Sequence, residues 1–295
     1  MSDSKYISCN GTFVNEDALI ISHRNYAFRY GEVIWENMHA SGRTVQFFDD
    51  HFSKIIGQLN FLKFGRPASF VQSTLHDEIS RLLNKNKLYQ GAKIRLTISR
   101  EENEKKKGLL DTHYYIETEK LDCDNYQINT KGYKVDVLEE LRKPSTTLSM
   151  FKSYNSLLYF QADRFRVENK LDDCIILNDH DHVVETIASN ILVIKDTNVF
   201  TPPFKDGCSP DVMRKQTLKI AKDLRLNVKI DQHIKVEDLE NADEILLVNA
   251  VQGIRWVLAY KQRRYFNQVA KLLIAKLNEI AFAEREYSIV NQFNI

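Results

Sequence analysis

Cysteine is scarce in this 295-residue chain: Cys9, Cys123, Cys174 and Cys208 stand far apart, with no C-x-x-C pair and no metal-ligand spacing. That scarcity argues against a disulfide framework or a zinc module and fits reduced thiols in a cytosolic protein. Charge of one sign is lacking too, since 41 Lys and Arg balance 40 Asp and Glu to a formal net charge of +1. No bulk pull toward nucleic acid, an anionic membrane or an acidic partner follows from such a balance. No stretch approaches the roughly 18 uninterrupted apolar residues of a membrane span. MSDSKYISCNGTFV lacks the continuous apolar core of a signal peptide, and repeats and low-complexity tracts are absent. A cytoplasmic location is expected. What is present is 43% hydrophobic and 27% charged residues, enough for a sizeable core and, at this length, two domains.

In the first half, residues 6–14 read as two short strands around Asn10-Gly11, a pair suited to a tight hairpin. Residues 18–48 alternate apolar and polar positions around Tyr30-Gly31 and Ser41-Gly42, which predicts antiparallel sheet throughout. After Asp49, the residues Phe52, Ile55, Ile56, Leu59 and Leu62 fall at helical spacing, with Lys54 in the first turns. A second helix over residues 69–86 places Val71, Leu75, Ile79 and Leu82 on one face. KIRLTISR and THYYIETEKL return to strand alternation, and EENEKKKG between them reads as a solvated loop.

The aperiodic polar stretch 123–131 is expected to link an N-terminal domain, 1–122, to a C-terminal domain, 132–295. Beyond it, GYKVDVLEE is strand, and residues 156–169 form a helix with Leu157, Phe160, Ala162 and Phe165 as core candidates. CIILN, HVVETIA and NILVIK follow as strands. Ser209-Pro210 reads as the N-cap and first residue of the helix in DVMRKQTLKIAKDLRL, whose first amides could hold a phosphate. NVKIDQHI is strand, VEDLENA a short helix, DEILLVNAVQGIRWV a strand broken at Gly253, and residues 265–285 a closing amphipathic helix.

Two residues stand out chemically. Lys152 follows Met150 and Phe151, and burial there would favour its neutral amine, although a lysine taken alone is ordinarily surface. Glu185 sits in the otherwise apolar or small HVVETIASNILVI, where a carboxylate either finds a partner or faces outward. His180 and His182 lie one residue apart in a turn but have no third ligand nearby in sequence, so no metal is expected.

In order and spacing, several segments resemble the class IV (fold type IV) pyridoxal phosphate enzymes. Tyr30-Gly31-Glu32-Val33-Ile34-Trp35-Glu36 matches Y/F-G-D-G-x-F/Y-E, and His51-Phe52-Ser53-Lys54-Ile55 matches H-x-x-R-L. Lys152 to Leu157 matches K-x-x-N-x-L, Glu185 to Asn190 matches E-x-x-x-S-N, and Thr201-Pro202 with Gly207 to Arg214 matches a further family segment. The resemblance implies a two-domain, D-amino acid aminotransferase-like fold: a smaller N-terminal α+β domain and a larger C-terminal domain with a mixed, barrel-like sheet. A homodimer binding a small amino substrate is also implied, with no nucleic acid or membrane.

By the same resemblance Lys152 would form the Schiff base with pyridoxal 5'-phosphate and shuttle protons, and Glu185 would pair with the pyridine nitrogen. Lys54 would stand in for the family's phosphate-binding arginine, keeping the charge but losing the fork. The amides of Val212 and Met213 would hold the same phosphate, with Asp211 placing an anion where the family has glycine. Asn190 would orient the cofactor-binding strand, and Trp35, Arg100, Asn249 and Arg255 would shape the substrate pocket. The region from Ala242 to Ile254, with Met213, looks most like aminodeoxychorismate lyases, which release pyruvate to give 4-aminobenzoate. Glu36 looks more like the branched-chain and D-amino acid aminotransferases, the alternative. A cofactor-free interaction protein of the same fold is a second alternative.

Overall fold

The computed structural model describes residues 6–18, 20–67, 69–103 and 108–283. The chain divides into two compact units, residues 1–125 with 152–155, and residues 126–151 with 156–295. Each is built around its own sheet.

In the first unit, β1 (Tyr6–Cys9) and β2 (Thr12–Asn15) form the hairpin, turning through Asn10 and Gly11 at positive φ. The expected continuous sheet over residues 18–48 is interrupted by a one-turn helix, α1 (Tyr26–Tyr30). Its ends explain it: the Asn25 side chain accepts from the Ala27 amide at 2.9 Å, and Gly31 closes the turn at φ 68°. Next come β3 (Val33–Ser41), β4 (Thr44–Val45), α2 (Phe48–Phe61) and α3 (Gln72–Lys85). α3 begins at Gln72 rather than residue 69, after an extended Val71. The long antiparallel pair β5 (Gly91–Glu102) and β6 (Leu110–Lys120) completes a six-stranded sheet of order β2-β1-β6-β5-β3-β4. Glu101 and Glu102 of the expected charged loop thus belong to a strand, and residues 104–107 lie outside the described ones. Met38, Ala40, Ile94 and Leu96 on the sheet meet Ile55, Leu59, Leu75, Ile79 and Leu82 on the two helices.

The second unit opens with β7 (Tyr133–Lys143), α4 (Leu157–Glu168) and β8 (Asp173–Asn178). β9 (Val183–Thr186), β10 (Asn190–Lys195), β11 (Asn198–Phe200), α5 (Val212–Asp223) and β12 (Asn227–Lys229) follow. α6 (Val236–Asn241), β13 (Glu244–Asn249), β14 (Gly253–Tyr260), β15 (Arg263–Arg264) and α7 (Gln268–Ala281) end the described chain. β10, β13, β14, β7, β8 and β9 are neighbours in that order, and a further β9–β10 pairing closes the ring. The sheet is mixed, with β7 parallel to both β8 and β14. Alternate residues Val135 and Val137, Ile175 and Leu177, Ile191 and Val193, and Ile245 and Leu247 form one core, as the period of a strand requires. β13 and β14 are two strands, because the Asn249 carboxamide caps the turn between them and Gly253 adopts φ 72°.

Three sequence expectations change here. Leu157 and Phe160 are exposed rather than core, and only Ala162 of α4 is fully buried. The α5 cap is Asp211, not Ser209, because its carboxylate reaches the Met213 amide. α7 spans 268–281, and residues 284 and 285 of the expected helix lie outside the described ones.

Candidate active site

In the first unit the period of two along β3 turns Glu36 into the core and leaves Trp35 half-buried on the other face. His51 and Lys54, three residues apart on α2, converge on Glu36 as one helical turn allows. His51 Nδ1 lies 2.7 Å from Oε1, and Lys54 Nζ donates to Oε2 at 2.6 Å. Burial pushes the Glu36 carboxyl up, but the Lys54 charge and the His51 hydrogen bond outweigh it and hold the group at about 2.

Lys152 belongs to this unit. Its carbonyl accepts from the Trp35 amide at 3.3 Å, and its Nζ lies 5.3 Å from the Trp35 ring centroid. The Arg95 guanidinium is 4.7 Å from the same ring, placed there because residue 95 sits diagonally from residue 35 in the β3–β5 register. Arg100 is clamped by Glu32: Nε donates to Oε2 at 2.9 Å, and a second short bond joins Nη2 to Oε1.

In the second unit Glu185 is a buried anion. Lys143, at the end of β7, donates to its Oε1 at 2.6 Å, the Tyr159 hydroxyl on α4 donates to the same oxygen at 2.5 Å, and the Ser209 amide donates to Oε2 at 2.9 Å. Burial opposes ionisation, but the Lys143 charge and these three hydrogen bonds prevail and lower the carboxyl below its usual range. Burial, with the neighbouring carboxylate, raises the Tyr159 phenol well above its ordinary value, so it stays a donor.

Asn190 pairs with Glu185 across β9 and β10 and donates to the Ser209 carbonyl at 2.9 Å, while its Oδ1 is buried without a hydrogen-bond partner. Val212 and Met213 open α5, but the Met213 amide is already engaged by Asp211 Oδ1 at 2.8 Å. Arg214 reaches back to the Thr201 hydroxyl and the Pro202 carbonyl, at 3.0 and 2.7 Å, tying the Thr-Pro segment to that helix. Asn249 is absorbed by its own turn: Oδ1 accepts from the Val251 and Gln252 amides, and Nδ2 donates to Ser189. Arg255 donates to the Gln127 carbonyl at 2.7 Å.

Of the residues the sequence singled out, Trp35, Lys54, Arg100 and Lys152 therefore lie in the first unit. Glu185, Asn190, Val212, Met213, Asn249 and Arg255 lie in the second. Sequence reasoning missed Lys143, Tyr159 and Arg95, and it named Glu36, His51 and Lys54 without bringing them into one cluster. The available signal was only that a carboxylate in an apolar strand demands a buried partner; that the partner is Lys143, on β7 and one strand removed from β9 across β8, depends on the sheet order.

Residues 34–260 match the class IV amino-transferase family. The chain is similar to the aminodeoxychorismate lyase of Bacillus subtilis, 24% identical over 84% of each chain. It is equally similar to the D-alanine aminotransferase of Staphylococcus epidermidis, 24% identical over 81% of this chain and 83% of that one. In fold it resembles the branched-chain aminotransferase of the archaeon Thermoproteus uzoniensis, with a TM-score of 0.84, 19% identity, and coverage of 96% and 97% of the two chains. This chain belongs to the class IV aminotransferase family of pyridoxal phosphate enzymes, as its motifs implied.

Proposed function

We propose that the chain is a lyase that uses pyridoxal 5'-phosphate to convert 4-amino-4-deoxychorismate into 4-aminobenzoate and pyruvate. The cofactor's pyridine end fits the residues present. A carboxylate offers about four acceptor sites, and Glu185 uses three, which leaves one on Oε2 for a ring N–H. Bound there, the cofactor would supply the electron sink on which the reaction depends.

The chain's own part is proton management and orientation. Lys152 Nζ takes the proton from the substrate's amine-bearing carbon, beside the Trp35 ring. Glu185 stays anionic throughout, because Lys143, Tyr159 and Ser209 all stabilise its charged form. Lys54 supplies positive charge for the phosphate, tempered by Glu36. The C–O bond at the adjacent ring carbon breaks, the departing enolpyruvate takes at its methylene carbon the proton held by Lys152 and becomes pyruvate, and the ring aromatises.

The observation that carries the lyase over the aminotransferase is the β13–β14 turn. By the family resemblance, aminotransferases more often carry small hydroxylated residues there, whereas Asn249-Ala250-Val251-Gln252 has no hydroxyl and its amides at 251 and 252 are engaged by Asn249. Incubation with 4-amino-4-deoxychorismate is expected to yield 4-aminobenzoate. No product, with amino transfer from glutamate or a branched-chain amino acid instead, would reverse the assignment to the aminotransferase.

The enzyme is proposed to act as a homodimer in the cytoplasm. Leu157, Phe160 and Val167 form an exposed apolar stripe along α4, which a second copy would cover. Among the described residues no helix is long and apolar enough to cross a membrane.

A further inference from the structure

Outside the residues given roles above, the second unit gathers His182, Asp206 and His233 from three distant segments. We propose that these three residues form a divalent transition-metal site of the zinc type, with His182 Nδ1, His233 Nδ1 and one Asp206 oxygen as ligands.

His182 immediately precedes β9, Asp206 ends the short helical turn 204–206, and His233 lies in the loop after β12. His233 Nδ1 is 2.8 Å from both Asp206 oxygens, and His182 Nδ1 is 3.6 Å from Oδ2. The three ligand atoms lie within 4.8 Å of one another. Tetrahedral bonds of 2.0–2.1 Å imply ligand atoms about 3.3 Å apart, a value that the two distances to Asp206 bracket.

The bland alternative is an Asp206–His233 ion pair with a stacked neighbour. It leaves one atom unexplained. His182 Nδ1 is buried and aimed at the same carboxylate, yet too far to hydrogen-bond, and it has no hydrogen-bond partner. The two imidazoles also stack, with 4.2 Å between centroids. A cation between them and Asp206 satisfies all three groups at once. Two imidazoles and a carboxylate select zinc, cobalt, nickel or copper over magnesium or calcium. His180, the partner suggested by sequence adjacency, instead contacts Asp179 at 3.0 Å and is not a ligand.

The placement gives the ion a structural consequence. His182 is three residues before Glu185, and Asp206 is three residues before Ser209, whose amide holds Glu185 Oε2. The metal would pin both segments that frame that carboxylate, whichever reaction the enzyme catalyses.

The test uses the full-length protein, stripped with chelator and titrated with Zn²⁺ by calorimetry, with metal content counted after dialysis and zinc-edge absorption reading the ligand type. One equivalent is expected, bound at micromolar Kd or tighter through nitrogen and oxygen only. His233→Ala and Asp206→Asn should each weaken binding at least a hundredfold. Because His233 is exposed, H233A is the variant expected to keep the fold, checked by circular dichroism. Absence of saturable binding, sulfur in the zinc shell, or unchanged affinity in H233A would overturn the proposal.

Discussion

Replacing Lys143 by methionine tests whether the Glu185 charge is held as described. The Lys143 and Glu185 side chains are each 5% exposed and meet at 2.6 Å, so the substitution strands a buried carboxylate with only the Tyr159 hydroxyl and the Ser209 amide. Removing one partner of a buried pair costs about 3–5 kcal/mol, and that loss is expected for Lys143→Met in urea unfolding at pH 7. The pH dependence supplies a second signature. In the wild type the Glu185 pKa is depressed, so its contribution is complete above the unfolded-state value and is lost as pH falls through the folded one. Without Lys143, burial acts with less opposition and the folded pKa rises. The variant's deficit should therefore be largest at neutral pH and shrink toward about pH 4, near the unfolded carboxyl value. Lys143→Met combined with Glu185→Gln, which removes the stranded charge, should recover most of the stability. A single-variant cost below about 1 kcal/mol, the range of an exposed pair, or a deficit that grows toward acid, would refute the reasoning.

Glu36→Gln should flatten the acid limb of stability. Its carboxyl, held at about 2, contributes roughly 3 kcal/mol above the unfolded pKa and loses it as pH falls through the folded value, so the variant's drop between pH 7 and pH 3 should be the smaller. Asp211→Asn keeps a capping side chain at α5 but removes an anion near the proposed phosphate site. Fluorescence titration should show cofactor affinity rising about fivefold, on the order of 1 kcal/mol for one screened charge. Gly91→Ala would set a Cβ 2.0 Å from the Cys123 carbonyl oxygen and should cost about 3 kcal/mol in thermal or urea unfolding.

The parts legible in the sequence were those with a strong period or a local motif. The 3.6 spacing of Ile55, Leu59, Leu75, Ile79 and Leu82 placed two helices whose buried faces match. α1 escaped because five residues between Asn25 and Gly31 are too few to show a period, and only the two caps betray it. Leu157 and Phe160 misled because a helix pattern marks an apolar stripe without saying what covers it. Glu185 was flagged by its apolar neighbours, yet Lys143 and Tyr159 were invisible, since they meet it only through the β7–β8–β9 pairing and the return of α4. His233 and Asp206 were hidden from His182 for the same reason. Such contacts depend on register, which no short window contains.

Two lysines now compete for the central role: Lys152 by motif and Lys143 by its place against Glu185. Borohydride reduction of the cofactor-loaded protein, followed by peptide mapping, decides between them. The pyridoxyl label is expected on Lys152, with the visible absorbance band lost in Lys152→Ala and kept in Lys143→Met. A label on Lys143, or a band that survives Lys152→Ala, would contradict the account.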